Sequence, residues 1–92
     1  MNMNNDKYSI QRLVSDLECL LRMSVEAESS LDGWYIFANE IEENIYDYNL
    51  HEKIPEFVIH YLADADIRFK DKVYSSSQDT EMKRILSDLK GM

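Results

Sequence analysis

The chain reads as an all-α protein, a compact bundle of four helices, or five if the third one breaks. Three observations lead there. Apolar residues recur with a 3.6-residue period in four successive segments, the pattern of helices that each bury one face. Only two glycines and one proline occur in 92 residues, too few to punctuate the many turns of an all-β chain. Apolar residues at 45% and charged residues at 30% are values of folded globular domains rather than of disordered chains. A single domain, residues 1–92, fits this length. Such a chain buries roughly 60–65% of its unfolded surface, enough for a modest core without staples.

Residues 1–5 are expected to be a disordered tail. The first helix starts near Asp6 or Ser9, either of which can cap it. Its inward positions are Ile10, Leu13, Val14, Leu17, Leu20, Leu21 and Val25, and it is expected to end near Ala27, where the stripe stops. The second fits Asp32–Tyr48 with Ser30 or Asp32 as cap. Trp34, Phe37, Ala38, Ile41, Ile45 and Tyr48 share its inner face, and Gly33 falls in its first turn. Asn49–Lys53 reads as a linker. Pro55 suits the first turn of a third helix, where its missing N–H costs nothing. Val58, Tyr61, Leu62, Ala65 and Phe69 continue that period. Periodicity alone leaves two options: a helix running to Tyr74, or a break near Asp64–Asp66. Ser75–Ser77 is expected to interrupt the chain before a fourth helix, Ser77–Lys90, with Met82, Ile85, Leu86 and Leu89 inward. Gly91 suits the C′ position, and Lys83, Arg84 and Lys90 suit the negative end of the helix dipole.

Charge is distributed unevenly over this framework. Residues 1–30 carry −2, residues 31–66 carry −8 and residues 67–92 carry +2. The middle segment holds nine acids and one base, Lys53. Charge segregated in this way attracts basic partners and repels nucleic acid. The six bases after Ile67 are offset by four acids, so no basic footprint for phosphate or anionic lipid is expected. No apolar run reaches the ~20 residues of a membrane helix, and no signal peptide is read at the N-terminus. One cysteine, Cys19, rules out an intrachain disulfide. A bridge-free domain of this size points to the reducing cytoplasm.

The outer face of the second helix carries the candidate site. Ile36, Asn39, Glu40, Glu43, Tyr46 and Asp47 fall at i, i+3, i+4, i+7, i+10 and i+11, one continuous stripe opposite the core face. Tyr46 and Ile36 can anchor a partner there, and the carboxylates can pair with its Arg or Lys. A solvated helix face with one stray tyrosine is the plainer alternative. Like charges at Glu40/Glu43 and Glu43/Asp47 destabilise a helix slightly, which weighs toward a function. In Asp64–Asp71, the spacings Asp64/Arg68 and Asp66/Lys70 read as a solvated, ion-paired face rather than a metal site. His60 reads as a rim residue. Cys19 has no base in reach, no paired CxxC or HExxH occurs, and no Gly-rich phosphate loop is present. Trp34, Phe37, Tyr61 and Phe69 read as core. No catalytic group, metal or cofactor is therefore expected.

The chain resembles small acidic helical immunity proteins of bacterial contact-dependent growth-inhibition and polymorphic toxin systems. The resemblance is of overall character, and the stretch Ile54-Pro55-Glu56-Phe57-Val58-Ile59-His60-Tyr61-Leu62-Ala63-Asp64-Ala65-Asp66-Ile67-Arg68 looks like the core of such proteins. It implies a protein that binds one cognate toxin domain, commonly a basic nuclease, and blocks its active site or its access to substrate. The rival expectation is a small cytoplasmic adaptor unrelated to toxins. A homodimer through the second helix's outer stripe ranks lower, because facing acidic stripes repel.

Overall fold

The computed structural model describes residues 8–23 and 29–91, and the described residues contain helices and no strand. The helices are α1 (Ile10–Arg22), α2 (Ser29–Asp47), α3 (Glu56–Ala63), α4 (Ala65–Lys70) and α5 (Lys72–Lys90), with a 3₁₀ turn at Leu50–Glu52 between α2 and α3. The two long helices form the frame. α2 packs on α1, α3 and α4, and α5 packs on α1, α3 and α4 from the other side. Leu13, Leu17, Leu20, Ile41, Ile45, Val58, Met82 and Ile85 are fully buried between them. The expected tail at residues 1–5, the alternative cap Asp6, and the positions Val25 and Ala27 lie outside the described residues.

Ser9 caps α1, its Oγ accepting from the Arg12 amide at 3.3 Å. The helix stops at Arg22, earlier than expected, with Met23 extended at φ −74° and ψ 122°. Leu20 and Leu21 are the last inward residues, and a helix gains most of its stability from its packed face. α2 starts at Ser29, three residues before the expected Asp32. Buried Leu31 extends the Trp34–Ala38–Ile41–Ile45 stripe back by one turn. Ser30 and Asp32 therefore lie inside the helix and do not cap it. Tyr48 lies outside it, 38% exposed, with its ring stacked on Tyr8 at 6.2 Å between centroids. Asn49 takes the left-handed conformation, φ 58° and ψ 31°, and ends the helix. The expected linker is partly ordered by burial: Leu50, which opens the 3₁₀ turn, and Ile54, which follows it, join the core.

Pro55 is the N-cap of α3 rather than its first-turn residue, because its ψ of 144° is extended. The third helix does break, at Asp64. Tyr35 of α2 supplies the reason. Its hydroxyl sits at the break, 3.0 Å from the Asp66 amide, 3.0 Å from Asp66 Oδ1 and 3.3 Å from the Ala63 carbonyl. It accepts from that amide and has one proton for either oxygen, so it satisfies the Asp66 amide, one of the donors that starting α4 leaves open. A second break falls at Asp71, extended at φ −124° and ψ 104°, whose carboxylate accepts from the Tyr74 amide at 3.1 Å and caps α5. The expected interruption at Ser75–Ser77 is absent. α5 starts at Lys72 and runs through the serines, because Asp71 is the cap and Gln78 faces inward one turn before Met82. Three serines cost about 0.5 kcal/mol each in propensity, a small penalty beside burial of the inner face. Gly91 ends α5 as its C-cap rather than at C′, in a right-handed conformation with φ −79° and ψ −6°.

Candidate functional site

The five residues expected to bind a partner are all exposed on the outer face of α2. Ile36 is 64% exposed and Tyr46 48% exposed; Glu40, Glu43 and Asp47 accompany them, with Asn39 on the same stripe. From Ile36 to Asp47 the stripe spans about 16 Å at 1.5 Å per residue. α2 contains no basic residue. Among the described residues, no base pairs with Asp32, Glu40, Glu42, Glu43 or Asp47; the ion pairs lie at Glu52, Glu56, Glu81, Asp88 and Glu18. Glu40, Glu42, Glu43 and Asp47 crowd the last two turns of α2, the negative end of its dipole, where carboxylates are unfavourable. The helix carries this cost with no internal compensation.

Tyr46 differs from most other tyrosines of the molecule. Tyr8, Tyr35, Tyr61 and Tyr74 lie within 2.6, 3.0, 3.2 and 3.0 Å of the carboxylates of Asp16, Asp66, Asp79 and Asp64. Burial first, then these bonds, push the pKa of Tyr8 and Tyr35 above that of a free phenol. Burial raises Tyr61, and the bond to Asp64 raises Tyr74. The Tyr46 hydroxyl has no such partner among the described residues. Its ring packs on one side against His51, 4.8 Å between centroids, so the anchor is held while its other surface stays open.

The Asp64–Asp71 stretch is not the solvated, ion-paired face expected. Asp64 accepts from Tyr74, Asp66 faces the Tyr35 hydroxyl, and Arg68 is only 7% exposed. The Arg68 guanidinium carbon lies 3.8 Å from the ring centroid of Tyr61 and 5.0 Å from that of Trp34. Its Nη1 donates to Gln78 Oε1 at 2.7 Å, and Gln78 Nε2 donates to the Tyr74 hydroxyl at 2.9 Å. The signal was present in the spacing. Tyr61, Ala65 and Arg68 fall at i, i+4 and i+7, so a base stands on the apolar stripe. Gln78 likewise stands four residues before Met82. No sequence rule could name the aromatic rings that make Arg68 tolerable, because Trp34 comes from a different helix.

Other expected placements are mixed. His60 is exposed, as a rim residue should be, but its nearest carboxylate is Glu56 at 3.3 Å rather than Asp64. Trp34 and Tyr61 are core, while Phe37 and Phe69 are half-buried against it. Cys19 is half-buried on α1. Among the described residues no three His, Cys, Asp or Glu side chains are grouped to hold a metal ion, and no helix is long and apolar enough to cross a membrane. No family model, curated protein sequence or solved structure matches the chain.

Proposed function

We propose that this protein is an inhibitor of the immunity type, which binds a basic bacterial toxin domain of the nuclease class and neutralises it through the outer face of α2 in the cytoplasm. The observation that carries the reading is the set of unpaired α2 carboxylates flanking Ile36 and Tyr46. A toxin that handles phosphate must present positive charge, and clustered carboxylates compete for that charge and speed association by steering. Tyr46 and Ile36 supply apolar area that charge alone does not, and a tyrosine anchor is enriched at binding hot spots. The resemblance to immunity proteins supplies the toxin; the physics of the face supplies the basic partner.

The test is a binding assay against the product of the adjoining toxin gene at low and high salt. Tyr46→Ala is expected to raise the dissociation rate, since it removes packing. Glu43→Lys is expected to lower the association rate and flatten its salt dependence, since it alters steering. If Ile36, Glu40, Glu43, Tyr46 and Asp47 can all be replaced with affinity unchanged, the face is wrong. Contact would then fall on the groove between α3 and α5, where Val73 is 81% exposed beside Phe57 and Tyr74.

A further inference from the structure

Arg68 is a buried cation without a counter-ion. No carboxylate stands within ion-pair distance of it among the described residues. Nη1 is taken by Gln78, and Nη2 has no acceptor. Ring faces and one amide offset part of the desolvation of a guanidinium, but an ion this deep ordinarily has a charged partner. A cavity of about 160 Å³ lies against the same side chain. Most of its exposed lining is polar, from residues that include Arg68, Lys72, Ser75 and Asp79, with smaller apolar walls that include Trp34 and Phe69. Lys72 also lacks an ion pair among the described residues, and the Asp79 carboxylate is engaged by the Tyr61 hydroxyl. Two bases and one acid leave the lining with a formal charge of +1, inside a protein of net charge −8.

We propose that this cavity binds a small free monocarboxylate, its oxygens taken by the Nε–Nη2 edge of Arg68 and by Lys72, its short alkyl tail against the apolar walls. With Nη1 committed, the Nε–Nη2 edge is the remaining fork of the guanidinium, and a carboxylate matches such a fork with two parallel hydrogen bonds. Nη2 is closed to solvent in this structure, so seating the second oxygen requires Arg68 to shift within the cavity wall. Size sets the class, since a cavity of ~150 Å³ holds benzene, about six heavy atoms. Acids of two to four carbons fit that limit. Charge sets the rest: Asp79 at the lining disfavours a dianion such as phosphate.

The site is separate from the outer face of α2, so it can stand or fall without the partner-binding reading. Sodium propionate is titrated into the full chain at constant ionic strength, with sodium chloride making up the balance. The indole N–H of Trp34, the single tryptophan, and the Nε–H of Arg68 are followed by NMR. Both signals are expected to shift saturably with propionate and not with inorganic phosphate. Lys72→Gln, an exposed substitution that leaves the core intact, is expected to weaken binding about two- to fivefold. Shifts that sodium chloride reproduces, that fail to saturate, that phosphate matches, or that Lys72→Gln leaves unchanged would overturn the proposal.

Discussion

Tyr35 and Arg68 show how single side chains depend on partners from other helices. Tyr35 reaches from α2 to the junction of α3 and α4 and accepts from the Asp66 amide that the break leaves open. Tyr35→Phe keeps the ring and deletes only that hydroxyl. It is expected to cost about 1 kcal/mol in urea unfolding and to speed hydrogen exchange at the Asp66 amide; unchanged exchange there would mean that the junction holds itself. Arg68 is tied to Tyr61, Trp34 and Gln78. Arg68→Ala is expected to lose about 3 kcal/mol, because it opens a void and strips Gln78 of its partner. Lys70→Ala, two residues on and exposed, is expected to stay within about 0.5 kcal/mol. Similar losses for both would place Arg68 at the surface. The i, i+4 spacing of Asp64 and Arg68 pointed to a surface pair; the apolar stripe pointed inward, and the rings of another helix decided in favour of the stripe.

At the scale of the element, α2 is a helix built against its own stability. Gly33 lies inside it, and a methyl group there meets no atom within 4 Å. Gly33→Ala is expected to raise stability by about 0.5–1 kcal/mol through helix propensity and a less disordered unfolded chain. A loss instead would show that the glycine makes a contact after all. Asp47 stands at the negative end of the dipole, four residues after Glu43. Asp47→Lys reverses one unfavourable charge and creates a Glu–Lys pair in the preferred order, a gain of about 0.5–1.5 kcal/mol. The same substitution is expected to weaken binding to a basic partner, read from unfolding midpoints and association rates on one protein sample. Stabilisation with undiminished binding would remove the reason for keeping these acids. α5 makes the complementary point. Three consecutive serines looked like a break, yet the Asp71 cap and the inward Gln78 carry the helix through them.

For the whole molecule, the tyrosine–carboxylate bonds, two of them local and two between distant parts of the chain, are expected to set its alkaline limit. Tyr8, Tyr35, Tyr61 and Tyr74 all hold their protons more tightly in the fold than a free phenol. The unfolded chain loses those protons near pH 10, while the folded one keeps them. Stability from these bonds is therefore complete below about pH 10 and falls as pH rises beyond it. Urea midpoints are expected to decline steadily across that range, with phenolate absorbance lagging in the folded protein. A flat midpoint would mean that the hydroxyls gain nothing from folding.

The all-α class, most of the inward positions, the charge asymmetry and the exposure of the α2 face were legible in the chain alone, because periodicity and charge are local properties that survive any arrangement of the helices. Tyr48, Phe37 and Phe69 are among the inward positions that the fold leaves partly or largely exposed. Tertiary structure decided the breaks at Asp64 and Asp71, the earlier starts of α2 and α5, and the burial of Arg68. Each depends on a partner that arrives from elsewhere in the fold: the Tyr35 hydroxyl for the break at Asp64, and the Trp34 ring for Arg68. Such contacts exist only once the chain has closed on itself, since a helix end or a buried charge is stable only where another element satisfies it.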